Sequence, residues 1–119
     1  MLICLAYKTC NGKSWKYSLD VENWTQAVHK CATAGDELAI LRNDDDHNCI
    51  KTIGLPNNSW VGFSNDVQSN VHVWLNGQPV IPENFSRASQ CGFVNTNGNI
   101  GTDSCARERR FVCQRPERK

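Results

Sequence analysis

Seven cysteines in a chain of 119 residues constrain the fold more than any other feature of the sequence. No two of them form a C-x-x-C pair, and none of the three histidines stands at zinc-ligand spacing from a pair of thiols. The cysteines therefore predict disulfide bonds formed in an oxidising compartment, and their odd number leaves at least one without a partner in the chain. They are Cys4, Cys10, Cys31, Cys49, Cys91, Cys105 and Cys113.

Three N-glycosylation sequons point to the same compartment. They begin at Asn23, Asn57 and Asn84 and carry Thr or Ser two residues later. Sequons and cysteines together predict an extracellular protein. The early apolar stretch at residues 1–6 is shorter than the signal-peptide core of about 7–15 residues, so we expect any signal or membrane anchor to lie outside this sequence.

Length and charge exclude several classes of protein. A chain of 119 residues suits one domain with a single core. The formal net charge of +1 lacks the excess of basic residues that a nucleic-acid-binding face requires, so no nucleic-acid partner is predicted. The histidines are scattered, and the sequence has neither a nucleophile with a local base nor a glycine-rich phosphate loop. We therefore expect neither an enzyme nor a bound cofactor.

The first third of the chain predicts a strand followed by a helix. Apolar and polar residues alternate over residues 15–19, which favours a half-buried strand. Apolar residues then recur at helical spacing from Trp24 to Ala32. Asp20 or Asn23 would cap the start of this helix, and Gly35 is expected to end it.

Three consecutive aspartates, at residues 44–46, follow Asn43. Carboxylates in the first turn of a helix are stabilised by the helix dipole, so this run predicts a second helix that ends at Gly54. A calcium loop is the alternative interpretation. An EF-hand, however, needs oxygen ligands at alternate positions and a central glycine, which the run lacks.

The rest of the sequence predicts short strands between turns. We expect strands at 60–63, 71–75, 91–94 and 110–113, Asn-Gly turns at 76–77 and 97–98, and a long loop up to residue 90. Trp24, Trp60 and Trp74 lie within helix or strand patterns, so we interpret them as core residues rather than ligand platforms. Two early helices and several late strands predict the α+β class.

These segments together resemble the C-type lectin-like domain. The residues that carry the resemblance are Trp24-Thr25-x-Ala27-x3-Cys31, Gly35-x2-Leu38-Ala39, Trp60-Val61-Gly62-Phe63, Trp74-Leu75-Asn76-Gly77, Cys91, Cys105 and Phe111-Val112-Cys113. The resemblance implies a disulfide-stapled α+β fold with two helices, two small antiparallel sheets and a long loop region. We accordingly divide the sequence into an N-terminal extension or stem remnant (1–13), a C-type lectin-like domain (14–114) and a basic tail (115–119).

The resemblance also implies the disulfides Cys31–Cys113 and Cys91–Cys105. The first of these would close a loop of about 80 residues and so remove conformational entropy from the unfolded state. The second would brace the hairpin that borders the long loop.

The N-terminal cysteines depart from the family pattern. Ser14 stands where many relatives carry a cysteine. We therefore expect Cys4 and Cys10 to pair with each other, or one of them to link to a second chain. Cys49 falls on the inner face of the second helix, where we expect a buried free thiol, with a bridge to another chain as the alternative.

The sugar-binding members of the family hold Ca²⁺ with several oxygen ligands, and this sequence lacks most of them. Where the family carries an acid–Pro–amide or amide–Pro–acid triplet, the sequence has Ile81-Pro82-Glu83, and Ser89-Gln90 lacks the acid expected before the third conserved cysteine. Gly101-Thr102 replaces the expected Asn-Asp pair. Glu83 and Asp103 are too few hard ligands, so no calcium is expected.

This loss makes the protein similar to the natural-killer-cell receptor branch of the family. That similarity implies a calcium-independent protein-recognition ectodomain of an immune cell-surface receptor, its ligand or a pathogen mimic. It implies the extracellular part of a type II plasma-membrane protein, with a homodimer left open. The alternative is a calcium-independent carbohydrate-binding lectin domain. The charge run 107–110 would suit acidic glycans, although a solvated strand edge is the more common explanation.

Partners of family members dock on the face away from the termini, made by the long loop and the late strands. Phe85 and Arg87 suit an interface best, because aromatic residues and arginine are enriched at binding hot spots. Packing of Phe85 onto the core is an equally good interpretation, and a glycan on Asn84 would shield part of the face. The candidate contacts are Asn65, Asp66, Gln68, Asn84, Phe85, Arg87, Asn95, Asn97 and Arg107.

Overall fold

Two helices and eight strands are formed by the part of the protein that the structure describes. The computed structural model describes residues 7–54, 57–66, 71–80 and 91–116, with only the backbone of Asp66. In sequence order the elements are β1 (Lys8–Cys10), β2 (Lys13–Tyr17), α1 (Trp24–Thr33), β3 (Glu37–Leu38), α2 (Asp44–Ile53), β4 (Ser59–Asp66), β5 (Val71–Trp74), β6 (Cys91–Val94), β7 (Ile100–Asp103) and β8 (Val112–Gln114).

Both predicted helices are confirmed, and each begins at an asparagine cap. The Asn23 side chain accepts a hydrogen bond from the N–H of Gln26 at 2.8 Å, so Asn23 rather than Asp20 caps α1. The Asn43 side chain accepts one from the N–H of Asp46 at 3.0 Å. The aspartate run therefore forms the first turn of α2, as the helix interpretation predicted.

The strands form two antiparallel sheets, which confirms the α+β class. The first has the order β1-β2-β8-β3 and joins early and late strands, since Trp15 pairs with Gln114 and Tyr17 with Val112. The second has the order β5-β4-β6-β7. A backbone hydrogen bond of 2.8 Å from the Trp60 N–H to the Arg110 carbonyl links the two sheets.

Tryptophans tie these layers together. Trp60 and Trp74 are core residues, as the sequence pattern indicated, and Trp24 is partly buried and packs against the core. Trp15 and Trp60 are fully buried, and Trp74 is nearly so. The indole N–H of Trp24 donates to the Val61 carbonyl at 2.8 Å, and that of Trp60 donates to the Glu22 carbonyl at 2.9 Å. The apolar rings therefore fill the core while their N–H groups stay satisfied.

The last strands differ from the prediction. Residues 97–98 were expected to turn between strands 91–94 and 110–113, whereas the turn joins β6 to β7, and β8 lies in the first sheet between β2 and β3. β7 escaped prediction because its four residues are all half-buried and lack the apolar alternation of a typical strand.

The first hairpin also lies where an extension was expected. β1 falls within the segment 1–13, yet it pairs with β2 from Lys8↔Trp15 to Cys10↔Lys13. Asn11 and Gly12 connect the strands with φ of 53° and 75°, which are the positive values that a two-residue type I′ turn requires. The described end of the extension is therefore part of the first sheet.

Three disulfides join the described cysteines. Cys31–Cys113 has a Cα–Cα distance of 5.7 Å and links α1 to β8, and Cys91–Cys105 has a distance of 5.1 Å and spans the β6–β7 hairpin. These are the two pairings that the family resemblance implied.

The third disulfide, Cys10–Cys49, corrects two expectations: Cys10 does not pair with Cys4, and Cys49 is not a free thiol. Its Cα atoms lie 5.9 Å apart because the first hairpin packs across α2. Lys8 Nζ donates to the Ile53 carbonyl at 3.0 Å, which places β1 along the helix. A disulfide-bonded cysteine occupies an inner helix position as readily as a free thiol does. The helical pattern alone therefore could not tell whether Cys49 is bonded or free. Cys4 lies outside the described residues.

We expect peptide mapping of the non-reduced protein to recover a Cys10 peptide joined to a Cys49 peptide. The two thiols are held at disulfide distance by the packing of the hairpin on α2. Mass spectrometry before and after reduction measures the linkage, and the Cys31–Cys113 peptide pair serves as the internal control. A Cys4–Cys10 peptide, or alkylation of Cys49 without reductant, would show that this pairing is wrong.

A buried ionic cluster reinforces the same junction. Asp46 and Lys13 have fully buried side chains, 3.2 Å apart between carboxylate oxygen and Nζ. Arg42 Nε and Asn11 Nδ2 donate to the Asp46 carboxylate at 2.9 and 2.8 Å. Lys13 Nζ also donates to the side-chain oxygen of Gln114 at 2.7 Å. The cluster therefore connects the first hairpin, α2 and β8.

Candidate functional site

Gly101 and Thr102, the positions where the family resemblance implied cation ligands, lie on β7, where it pairs with β6. Gly101 stands opposite Phe93, Thr102 opposite Gly92, and Asp103 opposite Cys91. The Cys91–Cys105 disulfide joins the ends of this hairpin. Strand pairing and the disulfide thus fix the backbone of the candidate site, which we define as Phe93, Gly101, Asp103, Arg107 and Arg109.

Phe93 occupies the space that a side chain at position 101 would need. An ideal Cβ built on Gly101 would lie 2.7 Å from Cζ of the Phe93 ring. That distance is far below ordinary van der Waals contact, so an asparagine there would have to displace the ring. The Phe93 ring therefore fills the space beside Gly101 that a ligand side chain at this position would need.

Arg109 lies over the Phe93 ring. Its guanidinium carbon lies 4.6 Å from the centre of the Phe93 ring and 5.2 Å from the nearest Trp60 ring centre. Both distances are within the range of cation–π attraction. The same guanidinium donates to the Asn58 carbonyl at 3.2 Å. Arg109 thus contacts the rings of Phe93 and Trp60 and carries a positive charge into the site.

Asp103 is held by two arginines. Arg107 Nε lies 2.8 Å from a carboxylate oxygen of Asp103, and Arg109 donates to the same oxygen. The hydrogen bond from Arg109 lowers the pKa of Asp103, with smaller help from Arg107 and the Ser104 N–H, and desolvation only partly opposes it. The carboxylate is therefore ionised and already neutralised by guanidinium groups.

The ion pairs of Asp103 account for two of the arginines in the charge run 107–110. Arg107 and Arg109 turn toward Asp103 rather than forming a free basic patch, while Arg110 is exposed. Within the described ranges, no three His, Cys, Asp or Glu side chains come together in a way that could hold a metal ion. The sequence showed the arginines and the aspartate but gave no signal that they meet, because the pairing depends on how the backbone turns after Cys105.

The described candidate contacts fall at two ends of the second sheet. Asn65 and Asp66 end β4 near Cys91, at the same end as Asp103 and Arg107, whereas Asn95 and Asn97 lie in the β6–β7 turn at the opposite end. A strand the length of β6 separates them by roughly 10 Å. The structure therefore does not gather these four residues into one patch. Gln68, Asn84, Phe85 and Arg87 lie outside the described residues.

The candidate contacts differ in what their side chains do. The Asn95 side chain accepts hydrogen bonds from the N–H groups of Asn97 and Asn99 at 2.9 and 3.1 Å, so it shapes the turn. Asn65 Oδ1 is buried without a hydrogen-bond partner among the described residues. Asn97 and Arg107 are exposed, and only these two present their side chains openly among the candidates whose side chains are described.

Two sequons lie in the described part of the protein. Asn57 is exposed, and its side-chain oxygen accepts a hydrogen bond from the Thr96 N–H at 3.2 Å. Asn23 is half-exposed at the start of α1. In both asparagines the side-chain oxygen accepts the hydrogen bond. A glycan would be attached to the amide nitrogen, which takes no part in these two bonds. Asn84 lies outside the described residues.

The fold defines a small α+β domain held by three disulfides, and comparison with known proteins gives its family. Residues 20–115 match the model of the lectin C-type domain. The chain therefore belongs to the C-type lectin domain family, as its sequence resemblance indicated.

Individual relatives agree with this assignment. Mouse asialoglycoprotein receptor 1 is 25% identical over 118 residues, covering 87% of this chain and 41% of that protein. Human natural killer cells antigen CD94 is 27% identical over 103 residues, covering 82% of this chain and 56% of that protein. The solved carbohydrate-recognition domain of the mouse scavenger receptor C-type lectin superposes with a TM-score of 0.80 at 19% identity, over 94% of this chain and 96% of that one. The sequence thus spans about half the length of these two relatives and nearly all of a solved lectin domain.

Introducing asparagine at position 101 is expected to destabilise the domain by about 1–3 kcal/mol, because the new side chain must displace the Phe93 ring. Urea unfolding of Gly101→Asn measures the loss, and Thr102→Asn is the matched control on the same strand. Adding Phe93→Ala should make the effect of Gly101→Asn smaller than in the wild type. An equal loss with and without Phe93 would contradict the steric explanation.

Proposed function

We propose that this domain is the calcium-independent, protein-recognition ectodomain of an immune cell-surface receptor, its ligand or a pathogen mimic of either. The observation that carries the proposal is the composition of the candidate site. Phe93 fills the space of the first family ligand on β7, and two arginines engage the carboxylate beside it.

The chemistry of calcium supports this choice. Ca²⁺ takes six to eight oxygen ligands, typically carboxylates and carbonyls, in proteins. Here the one carboxylate on β7 shares its charge with Arg107 and Arg109, and both guanidinium groups would repel a divalent cation. A site of this kind recognises a target through shape, hydrogen bonds and its own ion pairs instead of a bridging metal.

The family context supports a receptor partner. One relative is named as a natural killer cells antigen and another as a receptor for asialoglycoproteins. Three disulfides suit an extracellular location. The described helices include none long and apolar enough to cross a membrane. We propose that the domain is the outer part of a type II plasma-membrane protein that recognises a cell-surface protein, alone or as a homodimer.

Carbohydrate recognition without calcium is the second candidate. It is favoured by the fold, because one solved structural neighbour is a carbohydrate-recognition domain, and by the exposed Arg110 at the end of the charge run. Polar side chains and a basic residue would then bind an acidic glycan directly.

A binding screen with excess EDTA separates these possibilities. We expect the soluble domain to bind a cell-surface protein whether or not EDTA is present, and to keep binding after enzymatic removal of the target's glycans. Loss of binding on deglycosylation would favour the glycan alternative, and loss in EDTA would contradict the proposal.

Matched variants then locate the contact surface. Arg107→Ala, in an exposed ion pair at the candidate site, is expected to weaken binding by about tenfold or more if Arg107 is a hot spot. Lys30→Ala, also in a surface ion pair but on α1, should leave affinity unchanged. Equal affinities of both variants would remove Arg107 from the contact surface, and Asn97→Ala would then test the opposite end of the sheet.

A further inference from the structure

We infer that Asn97–Gly98 is a modification site, at which the folded domain loses the side-chain amide of Asn97 by deamidation ahead of its other Asn-Gly pairs. The sequence has three such pairs, at residues 11–12, 76–77 and 97–98. All three asparagines are exposed. Exposure therefore does not distinguish them, and the difference lies in the hydrogen bonds of their side chains.

The reaction uses only the protein and water. The backbone nitrogen of the glycine attacks the Cγ carbonyl carbon of the asparagine and forms a new bond between nitrogen and Cγ. The bond between Cγ and Nδ2 breaks, and ammonia leaves with the proton from the glycine N–H. Water then opens the resulting five-membered imide at one of its two carbonyls. Opening gives aspartate, or isoaspartate when the backbone runs through the former side chain.

Asn11 is held away from this reaction. Its Nδ2 donates to Asp46 Oδ1 at 2.8 Å and to Asn43 Oδ1 at 3.4 Å. Both bonds must break before the side-chain carbonyl can turn toward Gly12. The product would also place a new carboxylate beside the buried Asp46 carboxylate, which like-charge repulsion disfavours.

The side chain of Asn76 is held less firmly than that of Asn11, and the side chain of Asn97 is held least. The Asn76 side-chain oxygen accepts one hydrogen bond, from the Gln78 N–H at 3.0 Å. No hydrogen bond joins the Asn97 side chain to any residue of the described ranges. The N–H groups of Gly77 and Gly98 both donate to a carbonyl within a turn, at 2.8 and 3.0 Å, so these bonds do not separate the two pairs, although Gly98 is buried and Gly77 is exposed. Each side-chain bond that must break slows the reaction by about tenfold.

The product would alter a constrained part of the fold. The Gly98 carbonyl oxygen lies at hydrogen-bond distance from His47 Nδ1, 2.7 Å away, which ties the β6–β7 turn to α2. The turn has no spare room, because an ideal Cβ on Gly98 would lie 2.2 Å from the His47 carbonyl oxygen. Isoaspartate adds a methylene to the backbone and a negative charge here, so modification should loosen the turn from α2.

Peptide mapping of the aged protein tests the inference. The folded domain is incubated at mildly alkaline pH and body temperature, and mass spectrometry follows conversion of each asparagine to aspartate and isoaspartate. We expect Asn97 to convert about tenfold faster than Asn76, with Asn11 slowest. Protein isoaspartyl methyltransferase should label residue 97, and Asn97→Gln should remove most of that label.

The reduced, alkylated protein in denaturant is the control, because all three pairs have the same local chemistry once the fold is gone. We expect the three rates to become similar there. Faster conversion of Asn11 or Asn76 in the folded domain would overturn the inference. So would the same ranking in the unfolded protein, since the fold would then not be the cause.

Discussion

Replacing Asp46 with alanine is expected to lower the free energy of unfolding by about 3–5 kcal/mol, the loss found when one partner of a buried ion pair is removed. Lys13 would remain with its side chain buried and without its carboxylate. Arg42 and Asn11 would also lose their shared acceptor. Urea or thermal unfolding measures the change, and the first hairpin should lose its protection from hydrogen exchange earlier than β4 does.

The neighbouring Asp45 provides the matched control. It is exposed in the same first turn of α2, so Asp45→Ala removes only a favourable interaction with the helix dipole, worth about 0.3–1 kcal/mol. Similar losses for the two variants would contradict a special role for the buried cluster.

Acid should reduce the difference between wild type and Asp46→Ala. Burial raises the pKa of Asp46, but hydrogen bonds from Arg42 and Asn11 and the charge of Lys13 outweigh it and hold the pKa well below its usual range. Because the pKa is lower in the folded than in the unfolded protein, this stabilisation is complete above the unfolded value of about 4 and is lost as the pH falls below it. A difference that stays constant into acid would show that ionisation of Asp46 contributes nothing.

Gly98→Ala is expected to destabilise the domain by about 3 kcal/mol or more. The new methyl group would meet the backbone of α2, since its ideal position is 2.2 Å from the His47 carbonyl oxygen, and a backbone atom cannot rotate away. Gly98 also has φ of 84°, a conformation that costs an L-residue roughly 1–2 kcal/mol. Both effects act on the β6–β7 turn, which packs against α2.

Gly77→Ala separates the two effects. Gly77 has φ of 89°, but its ideal Cβ meets no atom within 4 Å. This variant should therefore show only the conformational loss of roughly 1–2 kcal/mol. The excess loss of Gly98→Ala over Gly77→Ala in urea unfolding measures the clash with α2. Equal losses would mean that the turn can move away from the helix without cost.

Local patterns predicted the elements that bury one regular face. The helical spacing of apolar residues found α1, and the asparagine before the aspartate run found the start of α2. These elements obey rules that act within a few residues of sequence. β7 and the partners of β8 depend on residues far apart in sequence, and no local rule fixes them.

The first hairpin is marked in the sequence by the residues of its turn. Asn11-Gly12 is among the strongest two-residue hairpin signals, and it predicts β1 once it is considered with its flanking residues. Recognising that hairpin would have placed Cys10 in the domain. Its pairing with Cys49 would still have needed the docking of the hairpin on α2, which only the three-dimensional packing shows.

The candidate site divides in the same way. The family resemblance implied where oxygen ligands are missing, since Gly101 and Thr102 can be identified by their distance from Cys105. The sequence did not show that the Phe93 ring fills the space beside Gly101, or that Arg109 forms an ion pair with Asp103. These contacts join residues that are separated along the chain. The contacts proposed at Phe85 and Arg87 stay predictions.

Calorimetric titration of Ca²⁺ into the EDTA-treated, dialysed domain tests calcium independence most directly. We predict no saturable heat, and no change in melting temperature in millimolar Ca²⁺, because the described part of the site offers one carboxylate, already paired with two arginines, and an aromatic ring. Saturable uptake with a rise in melting temperature would contradict the account, since a ligand at a hundred times its Kd stabilises a folded protein by about 2.7 kcal/mol.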